Sequence, residues 1–189
     1  KEHDSHIRLI SQRYKLPFSY NSMYGVTSKE AFESIQAGDM DSMFTSILKK
    51  YKNLEKDCDF IVIEGTDFRG SLVSFEFDMN ARIANNLGAP ILAIINGYGK
   101  NVSGIADSIQ MVKRTLAEEN CAQIGFVVNR VDEKDYTAVR QLLEKFGKNG
   151  EINFAIPEKA VLQTITMRQI AQVLNAEHIY GNKESLDLD

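Results

Sequence analysis

The sequence predicts an α/β domain, a three-layer sandwich built on a mostly parallel sheet. Two patterns carry this expectation. Four short apolar runs recur along the chain: Phe60-Ile61-Val62-Ile63, Pro90 to Ile95, Ile124 to Val128, and Ile152 to Ile156. They are continuous rather than alternating, as in parallel strands whose two faces are both covered. The runs are also separated by stripes at helical spacing, and repeated strand–helix–strand units of this length imply right-handed crossovers.

Taken in order, nearly sixty residues before the first run read as helical. Asp4 to Tyr14 form one candidate helix, stopped by Pro17. Thr27 and Ser28 precede Glu30 and predict the cap of a second, which ends near Gly38. Asp41 to Leu54 form a third, with Met43, Phe44, Ile47, Leu48 and Tyr51 on one face. Phe75 to Asn80 mixes aromatics and acids, and its favoured reading is the start of a helix capped by Asp78 or Asn80. Ala81, Ile83, Ala84 and Leu87 continue that stripe to Gly88. Val102, Ile105, Ile109, Val112 and Leu116 mark another helix, starting near Ser103. Val139, Leu142, Leu143 and Phe146 mark the next, closed by Gly147. Residues 3–181 form the predicted domain, and the polar, acidic 182–189 read as a tail or linker.

Composition narrows the function classes. The 189 residues are 43% hydrophobic and 25% charged, with a formal net charge of −4, as expected of a soluble globular protein. Acidic and basic residues are interspersed without a basic stripe, which argues against a nucleic-acid partner. The longest apolar stretch, Ala89 to Ile95, is far short of the roughly 20 residues that span a bilayer, so no membrane partner is expected. The polar start predicts no signal peptide and a cytoplasmic protein. Two cysteines, Cys58 and Cys121, allow one disulfide by count. In a chain this size they read instead as free thiols of a reducing compartment. His3, His6 and His178 lie in the terminal segments and suggest no nucleophile–base pair.

Three stretches at strand ends carry candidate chemistry, because ligands of such sheets sit beyond the carboxyl ends of the strands. In Ile63-Glu64-Gly65-Thr66-Asp67, Glu64 follows the apolar run directly and Thr66 and Asp67 add oxygens. Glu64 and Asp67 are candidate ligands for Mg2+, which takes a few hard oxygens plus water; alternatively, Glu64 only caps a turn. In Asn129-Arg130-Val131-Asp132, the Asn129 amide and Asp132 carboxylate have the chemistry to read a nucleotide base. The competing reading is a turn in which both bond their own backbone. Asn96-Gly97-Tyr98-Gly99-Lys100-Asn101 resembles a phosphate cradle, with Lys100 and Ser103 placed to meet an anion at a helix start. Its spacing fails, however: no Gly-x4-Gly-Lys-Ser/Thr occurs anywhere in the chain, which leaves a flexible connecting loop.

Taken together, several strings resemble a known family. Asp59 to Phe68, Phe75-Glu76-Phe77-Asp78-Met79-Asn80-Ala81 and Ala84 to Pro90 look like the amino-terminal domain of long-form phosphate acetyltransferases. Gly125 to Val131 and Ala155-Ile156-Pro157-Glu158 continue the match in order, and Ser22 to Thr27 also fits. That domain is similar to dethiobiotin synthetase and the cobyrinate amide synthases, so the resemblance implies a P-loop NTPase-like fold without its first strand. In the intact fold it implies Mg2+ and a nucleotide, with Glu64 on the magnesium side and Asn129 on the adenine side. It further implies a non-catalytic regulatory and oligomer-forming role, with acetyl transfer in the protein's own carboxyl-terminal catalytic domain. The rival expectation is an ATP-dependent ligase of the dethiobiotin synthetase type, truncated before its phosphate loop. A missing first strand would leave the Phe60–Ile63 run unpaired, which predicts cover by another segment, a neighbouring chain or a homo-oligomer.

Overall fold

A computed structural model describes residues 3–65, 73–147, 150–162, 164–177 and 179–180; of 73–76 only the backbone is described. The chain divides into two compact units, Lys1–Ile91 with Lys113–Gln123, and Leu92–Val112 with Ile124–Asp189.

The first unit is helical. Helix α1 (Ser5–Tyr14) starts on Asp4, whose carboxylate accepts the His6 and Ile7 amides, and it ends on Lys15 in a left-handed conformation. The chain is therefore turned before Pro17 is reached. Helix α2 (Ser28–Ala37) opens on the predicted cap, which takes the form of a capping box: Thr27 accepts the Glu30 amide and Glu30 reaches back to Thr27. It closes on Gly38 at φ 68°, a conformation glycine adopts without a Cβ penalty. Helix α3 (Met40–Leu54) is capped by Asp39. Helix α4 (Val73–Leu87) already runs through Asp78 and Asn80. Neither residue is therefore a cap, because a cap must stand outside the helical hydrogen bonds. Ala31, Met43, Phe44 and Met79 form the core of this unit, with Val26, Met40, Ile47 and Ile83 packed against it. Arg82 lies over the Phe44 ring at 5.1 Å. Both cysteines are free. Cys121 Sγ donates to the Ala81 carbonyl at 3.1 Å, and burial pushes this thiol's pKa up.

The run Phe60–Ile63 is not a strand. It is irregular and exposed, 84% at Phe60 and 82% at Val62. Apolar composition alone cannot hold an extended segment; a strand needs a neighbour for its backbone groups, and none is paired with it among the described residues.

The second unit holds the α/β architecture. Strands β1 (Ile91–Asn96), β2 (Gln123–Val131) and β3 (Ile152–Pro157) form a parallel sheet in the order β1-β2-β3, flanked by helices. Helix α5 (Val102–Glu118) connects the first pair and α6 (Tyr136–Phe146) the second. Ser103 is inside the first turn of α5; the start is instead capped by Asn101, whose Oδ1 accepts the Gly104 amide at 2.9 Å. Buried residues of the unit are Ala93, Ile95, Ile105, Ile109, Val112, Phe126, Val128, Val131, Val139 and Leu143. β1 buries alternate residues and β3 only half-buries them, leaving Leu92, Ile94, Ile152, Phe154 and Ile156 exposed. The last helix, α7 (Met167–Leu174), has a capping box at Thr166 and Gln169 and no buried residue.

Candidate functional site

In the second unit the carboxyl ends of the three strands carry a cluster of polar side chains. The turn after β1 is set by Gly97, whose amide donates to the Asn129 carbonyl at 2.7 Å. A Cβ on Gly97 would sit 3.1 Å from that oxygen and 3.2 Å from Val128 Cγ1, so the two strand ends approach closely only because this residue has no side chain. Asn96 accepts the Tyr98 amide at 3.1 Å, and Gly99 turns the chain at φ 70°. Lys100 is directed along α5: its Nζ donates to Ser108 Oγ at 2.9 Å.

The β2–β3 register shifts between Val128 and Val131, and Arg130 has a positive φ of 63°. A bulge of this kind re-aims a side chain at the end of a strand. Arg130 thereby lies 4.1 Å from the Tyr98 ring centroid, stacked as a cation on an aromatic face. Its Nε donates to Glu158 Oε2 at 2.8 Å and a terminal nitrogen to Oε1 at 3.4 Å. The hydrogen bond it donates to Glu158 raises the guanidinium pKa further. Glu158 is itself fixed by its amide, which donates to the Val131 carbonyl at 2.8 Å. Lys159 pairs with Glu133 at 2.8 Å.

Asp132 takes the turn role. It accepts the Lys134 amide at 3.1 Å and pairs with Lys134 Nζ at 3.1 Å. The backbone donor comes first among the causes that hold its carboxyl below the ordinary range. Its folded pKa lies below its unfolded one, so the stabilisation is present above the unfolded value and is lost as pH falls through the folded one. An NMR titration is expected to place the Asp132 carboxyl midpoint below that of an ordinary aspartate. Lys134→Ala is expected to move it upward, and a midpoint that stays put would contradict this pairing. The Asn129 side chain is half-buried and has no hydrogen bond among the described residues.

Glu64 belongs to the first unit. Its Oε1 lies 3.0 Å from His6 Nδ1, and the two side chains are 67% and 66% exposed. Helix α1 thus brings His6, from a terminal segment, to Glu64. A Cβ on Gly65 would meet the Asn80 amide at 3.0 Å, which places this turn against α4. Thr66, Asp67 and His178 lie outside the described residues. No group of three or more His, Cys, Asp or Glu side chains is placed to hold a metal among the described residues.

The Mg2+ and nucleotide implied by the resemblance can be tested against these side chains. An exposed carboxylate with a single contact at one oxygen suits a hard cation, and Glu64 fits. The unengaged Asn129 amide fits a base edge. Asp132 and Lys100, as arranged, are turned to Lys134 and Ser108 and do not fit. Arg130, Tyr98 and Glu158 carry no site motif in the sequence. The available signal was that Arg130 and Glu158 end neighbouring apolar runs.

No helix among the described residues is long and apolar enough to cross a membrane. Residues 1–177 match the family described as AAA domain. A phosphate acetyltransferase of Synechocystis is 32% identical over 181 residues, which is 95% of this chain and 26% of that protein. One from Nitratidesulfovibrio vulgaris is 34% identical over 186 residues, 96% of this chain and 26% of that protein. The chain therefore spans about a quarter of the length of the curated relatives it matches. No solved structure matches it. The chain belongs to this AAA-domain family, in the form found at the amino terminus of long-form phosphate acetyltransferases.

Proposed function

We propose that this chain is a non-catalytic regulatory and assembly domain of a phosphate acetyltransferase. Acetyl transfer between acetyl-CoA and phosphate then belongs to a separate carboxyl-terminal domain of the same protein. The observation that carries the reading is coverage: nearly the whole chain matches, yet it accounts for 26% of each relative. The ligase reading needs a loop that grips phosphates, and a glycine-rich loop with a lysine upstream of Lys1 in the parent protein would favour it. An assembly role, a homo-oligomer and a cytoplasmic setting agree with this reading.

The effector proposed for the domain is a nucleotide with Mg2+. Within the first unit, Glu64 and Asp67 are the candidates for the cation and Thr66 for a further oxygen; within the second, Asn129 is the candidate for the base. Asp132 and Lys100 take part only if ligand draws them from Lys134 and Ser108. Deleting this domain from a parent phosphate acetyltransferase is expected to leave acetyl transfer intact and to remove its response to nucleotide. Abolished acetyl transfer with an intact fold would overturn the assignment. By titration calorimetry, Glu64→Ala is expected to weaken ATP–Mg2+ binding at least about tenfold, the scale of losing one charged contact. Unchanged affinity would remove Glu64 from the site.

A further inference from the structure

We propose that the outer edge of β3, with the groove between it and α6, is a homotypic interface on which a second copy of this chain docks. β3 is the last strand of the sheet, so one row of its backbone donors and acceptors has no strand partner among the described residues. Natural sheets guard such edges with lysine, proline, bulges or cover. β3 has no lysine; its proline, Pro157, stands only at the end of the strand, beyond the register shift, and the register with β2 is regular from Ile152 to Ala155. It also exposes three large apolar side chains on one face, Ile152 at 44%, Phe154 at 60% and Ile156 at 47%.

The pattern is self-complementary. Read in either direction, the exposed face is Ile-x-Phe-x-Ile. An antiparallel pairing about a two-fold axis at Phe154 sets Phe154 against its own copy and each Ile152 against the other copy's Ile156. A two-fold contact requires the same patch on both subunits, and cross-strand apolar pairs stabilise such a ladder. The result is one continuous sheet of six strands.

The charges repeat this symmetry. A groove of about 540 Å³ runs beside the edge, lined by Arg140, Leu143 and Glu144 of α6 and by Asn153 and Phe154 of β3. Arg140 and Glu144 are exposed, lie one turn apart, and have no ion pair among the described residues. Helix α6 returns between two parallel strands, so it runs opposite to β3. Phe154 lies about 7 Å into β3, and the same distance back from Phe146 is about four to five residues of helix. The axis therefore passes near Leu142, midway between the two charges. Arg140 of one copy then faces Glu144 of the other, twice. Opposite charges so arranged set register and partner choice.

This inference takes up the assembly part of the role proposed above. Its test reads self-association and not acetyl transfer, so either can fail alone. Sedimentation velocity of the purified chain over a wide range of concentration is expected to show a monomer–dimer equilibrium. Arg140→Glu and Glu144→Arg are each expected to weaken it at least about tenfold, and Phe154→Asp to abolish it. Mixing the Arg140→Glu and Glu144→Arg proteins is expected to restore dimers, because each then supplies the charge the other needs. That rescue also shows both variants to be folded. A wild-type chain that stays monomeric, including one whose β3 edge is covered by its own chain, overturns the proposal. So does a dimer that ignores the charge reversals, or a mixture that fails to associate.

Discussion

Gly125→Ala is expected to destabilise the second unit more than any other single methyl group added to the sheet. Gly125 sits in β2 directly across from Ile152 of β3, at φ 153°. A Cβ built there falls on the Ile152 carbonyl oxygen, a backbone atom that cannot step aside as a flexible side chain would. Overpacking a well-filled site costs about 1–3 kcal/mol and occasionally more. Against a strand backbone the upper end applies, because relief means losing β2–β3 pairing. Urea unfolding is expected to lose about 3 kcal/mol or more, which for a chain of this size is about 6–12 °C in Tm. An unchanged midpoint would mean that the two strands do not pair in this register.

The neighbouring residue yields the second large effect. Phe126 is fully buried in β2, and its amide donates to Asn153 Oδ1 at 3.1 Å. Truncation to alanine removes the largest fully buried side chain of the unit and leaves a cavity beneath the sheet. Such changes cost about 3–5 kcal/mol. Phe126→Leu keeps most of the volume and is expected to cost less than about 1.5 kcal/mol. Equal effects of the two variants in thermal unfolding would show that the site collapses rather than staying open, contrary to a rigid layer at β2.

The contrast between the strand runs shows how far apolar pattern reaches. Ile91–Asn96, Gln123–Val131 and Ile152–Pro157 became strands because each found a neighbour. Phe60–Ile63 has the same composition but no strand neighbour among the described residues, and it stays irregular. Pattern identifies a segment able to pair, and pairing is a property of the whole sheet. The cap at Thr27 was legible because all its atoms lie within four residues. Asp78 and Asn80 failed as caps because the helix had begun upstream, at Val73.

The candidate site divides in the same way. Asp132 adopted the local turn bonding that competes with ligand roles for every aspartate near a turn. The Glu64–His6 contact spans 58 residues, and nothing in either segment announces the other. Arg130 depended on a bulge and a positive φ, neither of which a β-rich run reveals. Its stacking on Tyr98 and pairing with Glu158 followed from that one backbone irregularity.

The central claim is that this chain regulates or assembles a phosphate acetyltransferase without carrying its chemistry. The most direct measurement is CoA release from acetyl-CoA and phosphate by the purified chain, with ATP and Mg2+ supplied. No release above the uncatalysed background is predicted. Sustained turnover by the chain alone, giving acetyl phosphate, would contradict it.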